Sequence, residues 1–293
     1  MTLNEYLAKA LKEGWAVAHF NISDAVTLVG ILDACKELQS PVMIGTSEGE
    51  QKFIGSAQAR TMINAYRDEY KLPLFLNADH HKSVGTAQEA IVADYDSIHI
   101  DLSVMNLEEN IKGTKEIVEF ARQKSQTRNP NNEISIEGEV GYLVTESSKI
   151  YKEIIEIPKE SLTKPEEAAR FVKETGVDRF APAVGNLHGI AANIKKLDIA
   201  RIEAIRSMIG DTAMVLHGGS GTPDEQIKAA IEAGINNIHI NTELRVAYAE
   251  ALRKFLTDNP DETTPYKFFK PVIEAIKQKT AEKINLFGSV NRI

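Results

Sequence analysis

The chain has 293 residues, 43% of them hydrophobic, and a formal net charge of −8. That acidic balance argues against a general nucleic-acid or anionic-membrane surface, because backbone phosphates reward a basic face. Cys35 is the single cysteine, which rules out an intrachain disulfide or a thiolate metal cluster.

Cys35 sits among Leu32, Ala34 and Leu38 in a helix-like stretch and reads as a small core residue. No basic segment followed by an apolar run opens the sequence, and no stretch approaches the ~18 apolar residues of a membrane span. A cytoplasmic location is the expectation.

Residues 2–5 read as a capping box ahead of a short amphipathic helix, with Leu3, Tyr6, Leu7 and Leu11 on one face and Gly14 as its stop. Residues 15–21 then form a first strand, and a helix over 26–38 leads to a second strand at 41–47. A helix from about residue 58 to 70 leads to a third strand at 72–80. The alternation continues with strands at 97–103 and 134–141, at Ala181-Pro-Ala-Val184, at Met214-Val-Leu216 and at 237–242, each preceded by a helical pattern. Proline opens two of those helices, at Pro165 and Pro223. Two further helical stretches finish the chain.

Eight short apolar strands, each followed by a helix, are what an α/β fold of the (β/α)8 TIM-barrel type requires. The expectation is one domain over residues 1–293, with a short N-terminal helix and extra C-terminal helices. The competing architecture is a doubly wound open sheet. Eight successive units, without a Gly-x-Gly-x-x-Gly after the first strand, favour closure. The polar segment over 142–163 is too long for a simple connection and is expected to carry function or disorder.

Barrel enzymes build their sites at the C-terminal ends of the strands. Here those ends gather Asn21, Ser47, Asp79, His80, His81, Asp101, Ser103, Glu137, Glu139, His188, His217, Asn241 and Thr242. One histidine on a strand is most often a satisfied core residue. Three at equivalent positions on strands three, six and seven point to a shared metal. Zinc suits a three-histidine set with an open position, and cobalt, manganese or iron could use the same donors. His19, His99 and His239 lie inside strands, and for His19 and His99 hydrogen-bonded packing is the expected role.

Gly218-Gly-Ser-Gly221 after strand seven and Asn241-Thr242 after strand eight fall where barrels often hold phosphate on backbone amides, and Gly189 could add another. Tight-turn chemistry alone would also explain the glycines. With a metal next door, a phosphorylated substrate explains more.

Asp79-His80, Gly185-Asn-Leu-His-Gly189, Val215-Leu-His-Gly-Gly-Ser220 and the tail Lys283-Ile-Asn-Leu-Phe-Gly-Ser-Val-Asn-Arg292 together resemble the class II, metal-dependent ketose-bisphosphate aldolases. That family includes the fructose-1,6-bisphosphate and tagatose-1,6-bisphosphate enzymes. The resemblance runs from about His19 to the C-terminus. It implies zinc ligands at His80, His188 and His217, and a general acid/base at Asp79 that protonates the aldehyde-derived hydroxyl. Glu139 matches an acid that approaches the metal, and Asp101 one near a secondary site. Dihydroxyacetone phosphate would be held at Gly189, Gly218, Gly219, Ser220 and the end of strand eight, with Ser47 also at the substrate. A monovalent cation (Na+ or K+) near the phosphate and a homodimer or homotetramer are further implications.

The chain departs from the family pattern in three places. His81 stands where glycine usually follows the Asp-His pair. Strand eight reads His239-Ile-Asn241-Thr242 in place of Asn-x-Asp-Thr or Asn-x-Ala-Thr, which makes His239 a candidate substrate contact. The loop after strand five reads Tyr142-Leu-Val-Thr-Glu-Ser-Ser148, without its paired glycines, and Glu146 is the nearest acid to the family's proton-abstracting glutamate. Lys82 reads as solvated, while Arg245 and Arg292 could meet a second phosphate or simply face water.

A metal-free barrel aldolase would need a Schiff-base lysine, and none stands at the end of strand six. A barrel metal hydrolase could use the same ligands to activate water, but commonly places a His-x-His pair on strand one, where only His19 is found. A non-catalytic sugar-phosphate-binding barrel is the remaining alternative, and Asp79 beside the metal argues against it. The expected reaction is cleavage of a ketose 1,6-bisphosphate, fructose-1,6-bisphosphate first, to dihydroxyacetone phosphate and an aldehyde such as glyceraldehyde 3-phosphate.

Overall fold

The computed structural model describes residues 1–127, 133–145, 149–192 and 196–293. Helix α1 (Leu3–Glu13) starts on the expected capping box, Thr2 Oγ1 accepting from Glu5 N while Glu5 Oε2 accepts from Thr2 N, and ends on Gly14 in the left-handed region at φ 70°. Its buried face, Leu3, Tyr6, Leu7 and Ala10, packs with Trp15, Val17, Met43 and Ala213. These last residues lie at or before the starts of strands, so α1 plugs the bottom of the barrel.

Strands β1 (Val17–Asn21), β2 (Val42–Ser47), β3 (Leu74–His81), β4 (Ser97–Ile100), β5 (Ser135–Val140), β6 (Arg179–Pro182), β7 (Ala213–Leu216) and β8 (Asn237–Ile240) close into one parallel barrel in sequence order. β8 returns to β1 with His239 opposite His19. The helices between them are α2 (Ala25–Leu38), α3 (Glu48–Ile54), α4 (Ser56–Tyr70), α5 (Val84–Val92), α6 (Leu107–Thr127), α7 (Pro165–Thr175), α8 (Ile199–Ile209) and α9 (Asp224–Glu232). After β8 follow α10 (Thr242–Asp258), the short α11 (Pro265–Phe268) and α12 (Lys270–Leu286). This is the (β/α)8 architecture with terminal helices that the alternating pattern called for, and the open-sheet alternative is excluded by the β8–β1 pairing.

Several boundaries differ from the sequence reading. Strands four and eight stop at Ile100 and Ile240, so Asp101, Asn241 and Thr242 lie just past the strand ends, Asp101 still donating its backbone N–H to His81 O at 2.8 Å. Helix α3 was unexpected. Seven residues rich in charge give little periodic signal, yet Ser47 and Glu50 form a second reciprocal capping box that starts it. Of the 142–163 segment, the described part is pinned rather than loose: Tyr142 N donates to Ser161 O, Thr163 N to Ala183 O, and Ile150 bridges to Ile190. Glu146 lies outside the described residues.

Candidate active site

β3 ends the way a functional strand must, by abandoning regular geometry. The β3–β4 register shifts between Ala78 and His81, and His80 takes a left-handed backbone at φ 51°. The irregularity decides which imidazole enters the mouth. His80 turns inward beside His99, His188 and His217, with ring centroids 4.4, 4.8 and 4.5 Å away. His81 turns toward α3, where its Nε2 meets Gln51 Nε2 at 2.9 Å.

Around His80 the strand ends converge. His80 Nδ1 lies 2.8 Å from Asp101 Oδ2, an arrangement that fixes the ring and leaves Nε2 for a ligand. Asp101 also accepts from Ser103 Oγ at 2.6 Å and from Lys82 Nζ, so Lys82 has a partner at the mouth and is more than a solvated surface charge. His217 Nε2 is 2.6 Å from Glu137 Oε1, and Glu137 in turn pairs with buried Arg179 at 2.5 Å. Glu139 Oε2 approaches His99 Nε2 at 3.3 Å. Asp79 Oδ2 accepts from Asn21 Nδ2 at 2.9 Å, while Oδ1 faces His239 Nδ1 at 3.4 Å.

A divalent cation fits this cluster. Asp79, His80, His99 and His217 each place one ligand atom within 4.8 Å of the others', as do His80, His99, Asp101 and Glu139. Asp79 Oδ1, both ring nitrogens of His99 and Glu139 Oε2 are buried with no hydrogen-bond partner among the described residues. Leaving such groups unpaired is expensive unless a ligand meets them. Of the three histidines implied as ligands, His80 and His217 converge. His188 stands at the rim, its ring edge-on to His80's and 6.0 Å from His217's, outside those ligand sets.

The charges are strongly coupled. Burial opposes ionisation of Asp79, yet His80, His239 and His99 hold its pKa well below the usual carboxylate range. Burial disfavours protonation of His99, but Glu137, Asp79 and Glu139 overcome it and hold that imidazole well above its ordinary value. Glu139 moves the other way, pushed up by burial and by Asp101. Burial and neighbouring His80 push His188 down to about 3.

The expected phosphate residues line a narrow cleft next to this cluster: Gly189, Gly218, Ser220, His239, Asn241 and Thr242 share its wall with Asp79 and the ligand histidines. Gly189 (φ 74°) and Gly218 (φ 65°) are needed as glycine, since a Cβ would lie 2.3 Å from Lys149 O and 2.1 Å from Leu187 O respectively. Gly219 donates its N–H to His239 O at 3.1 Å, and Ser220 Oγ accepts from Asn241 N and Glu243 N, which caps α10. A wider cavity of about 700 Å³ opens beyond, lined by Ser47, Glu50, Asp79, His80, Arg245 and others. Arg292 is elsewhere: it lies over the Trp15 ring at the barrel bottom and pairs with Glu13, because the C-terminal tail runs under the strands.

Sequence reasoning missed His99, set aside as packing, placed Glu137 at the mouth without a specific role, and did not single out Arg179 or Glu50. The available signal was the two-residue alternation on β4 and β5. Ser97, His99 and Asp101, like Ser135, Glu137 and Glu139, fall on one face, and that face is the barrel interior.

Fold and mouth together define a (β/α)8 barrel whose strand ends carry a buried acid-and-imidazole cluster suited to a divalent cation. A family model described as fructose-bisphosphate aldolase class-II matches residues 1–292. Among solved structures, the YdjI aldolase from Escherichia coli K12 is similar at 30% identity, with 99% of this chain and 98% of that one covered and a TM-score of 0.81. The fructose-bisphosphate aldolase (Fba) from Campylobacter jejuni shares 20% identity over 99% of this chain and 95% of its own, with a TM-score of 0.83, a likeness of fold. The chain belongs to the class II fructose-bisphosphate aldolase family, metal-dependent aldehyde-lyases that act on sugar phosphates.

Proposed function

We propose that this chain catalyses the reversible aldol cleavage of a ketose phosphorylated at C1, giving dihydroxyacetone phosphate and an aldehyde. Fructose 1,6-bisphosphate and tagatose 1,6-bisphosphate fall in that class, as do ketoses carrying the C1 phosphate alone. All share the dihydroxyacetone phosphate half, and that half is what the cleft beside the histidines fits. The observation that carries the reading is Asp79: a buried carboxylate with one unpaired oxygen, standing among imidazoles that can hold a cation.

A cation held here, zinc by the imidazole-rich donor set, would supply positive charge to the anion that develops as the carbon–carbon bond breaks. His80 and His217 would hold it, with His188 or His99 as the third imidazole and Asp101 and Glu139 beside them. Asp79, held ionised by its histidine neighbours, accepts the C4 hydroxyl proton while the C3–C4 bond breaks with its electron pair on C3. A proton delivered to C3 completes dihydroxyacetone phosphate, and condensation runs these transfers in reverse. Asn21 holds the carboxylate from one side, and His239 Nδ1 stands 3.4 Å from its unpaired oxygen. Gly189 and Gly218 let backbone approach the phosphate, and the N-terminus of α10 points its dipole toward the same cleft. The role of Glu146 in moving the C3 proton rests on the family resemblance alone.

Incubation of the zinc-loaded protein with dihydroxyacetone phosphate in deuterated water tests the half-reaction directly. Loss of the exchangeable hydroxymethyl proton signal, abolished by EDTA, is the expected result. No exchange from zinc-loaded protein overturns the reading.

A further inference from the structure

The wall of the cavity beside Asp79 is where an incoming aldehyde must lie, and that wall is acidic. Glu50, on α3, is only 5% exposed. Its Oε2 accepts from Asn21 Nδ2 at 3.1 Å and from Ser47 N and Oγ at 2.7 and 2.9 Å, and its Oε1 accepts from Arg245 and from Ser23 Oγ at 3.4 Å. The same Asn21 amide donates to Asp79 Oδ2 at 2.9 Å. One amide group therefore separates Glu50 from the carboxylate that meets the aldehyde oxygen. Glu50 and Asp79 line the same cavity, so the groups on the aldehyde carbon enter a space whose wall includes Glu50.

A second phosphate would need a cation there. Lys82 and Arg245 are the lysine and arginine among the described residues lining this cavity, and both are engaged, Lys82 by Asp101 and Arg245 by Glu50. Glu50, Asp79, Asp101 and Glu139 face the same space. A divalent cation at the histidines would offset the last three, whose oxygens belong to the same ligand sets, and would leave Glu50 balanced by Arg245 alone. A phosphate can take Arg245 only by displacing it from Glu50, which would leave two anions facing one guanidinium.

On the reading that this site cleaves C1-phosphorylated ketoses, we infer that its aldehyde half is an uncharged polyhydroxy aldehyde, selected by Glu50. The carboxylate, its acceptor sites already filled by Asn21, Ser47, Ser23 and Arg245, repels a terminal phosphate and keeps Arg245 from it, so specificity comes from a repulsive element. Glu50 is in this sense a specificity residue, acting through its charge on the part of the substrate that does not react.

The test is condensation of dihydroxyacetone phosphate with glyceraldehyde and with glyceraldehyde 3-phosphate by the zinc-loaded full chain, comparing kcat/KM. Wild type is expected to favour glyceraldehyde by about tenfold or more, the ratio that ~1.4 kcal/mol of charge repulsion produces. Glu50→Gln and Glu50→Ala should shift that ratio toward the phosphorylated aldehyde by about tenfold, mainly through its KM. The ratio is internal to each variant, so a general loss of activity does not imitate the effect. Wild-type preference for glyceraldehyde 3-phosphate overturns the inference whatever the variants do, and so does a ratio unmoved in both variants. If both aldehydes fail and dihydroxyacetone phosphate does not exchange its proton, the proposed function itself has failed. Exchange accompanied by preference for the phosphorylated aldehyde overturns the subsite alone.

Discussion

The inside of this barrel and the shell around it solve opposite problems with the same strands. Outward-facing residues such as Phe20, Ile44, Leu76, Ile98, Ile136, Phe180, Met214 and Ile238 are fully buried against the helices in one continuous apolar core. The inward-facing side chains one position away include Asn77, Ser97, Ser135, Arg179 and Asn237, equally buried and all polar. Arg179 is their hub, donating to Asn77 Oδ1 at 3.0 Å, Asn237 Oδ1 at 3.2 Å, Ser135 Oγ at 3.3 Å and to Ser97. Barrel interiors are usually filled by branched apolar residues. Here the interior is a hydrogen-bonded pedestal on which the next layer, Asp79, His99, Glu137 and His239, stands. The shell supplies stability through area, and the interior supplies orientation through satisfied polar geometry.

Substitutions can separate the two contributions. Asp79→Asn keeps the shape of the inner layer but removes the proton acceptor. It should lower ketose-phosphate cleavage by ~10²-fold or more while leaving the thermal unfolding transition in place, and steady-state rates together with calorimetry would show both. Arg179→Met removes the guanidinium partner of buried Glu137, leaving it to His217 and His99, and should destabilise the fold by ~3 kcal/mol in chemical denaturation. Adding Glu137→Gln should restore much of that loss. If the double variant is as unstable as the single one, the interior is held by packing rather than by charge. Ile98→Val in the shell, on the strand that carries His99, removes one methylene and should cost about 1 kcal/mol without changing activity.

The smallest expected effect is one of pH. An unfolded imidazole titrates near ~6.5, whereas His188 is pushed down to about 3, so the unfolded chain takes up this proton first as pH falls. The stability His188 contributes is therefore complete above pH ~6.5 and lost progressively toward pH ~3. EDTA-treated protein should lose melting temperature on acidification through this window, and His188→Gln should lose less. Identical slopes would show that His188 is not held neutral by the fold.

The sequence carried the shell more plainly than the pedestal. Alternating strands and helices, the capping box at residues 2–5 and proline helix starts are local features, and the barrel follows from their order. The strand-end residues Asp79, His80, Asp101 and His217 were legible for the same reason, since each terminates an apolar run, while Glu139 was reached through its place late in strand five and the family pattern. His99 was not, because Ser-Ile-His-Ile does not say how deep in the barrel a residue sits. The choice between His80 and His81 turned on a single left-handed residue and a register shift that ordinary propensities do not reveal. Glu50 and Phe53 reach the mouth only because a charged, weakly periodic stretch folds as α3. Arg292 read as a phosphate candidate by charge, but its position depends on where a tail of the chain is laid down.

That tail also governs when the molecule can become whole. The backbone amides of Asn291 and Arg292 donate to Leu38 O and Gln39 O at 2.9 and 3.0 Å, α12 lies against α2, and β8 completes the ladder at β1. The first and last parts of the polypeptide thus clasp one another. During synthesis on the ribosome, β1 waits with one edge unpaired until more than 200 further residues have emerged. The nascent chain is exposed to edge-to-edge association for that whole interval, and only the arrival of residues 237–240 ends it.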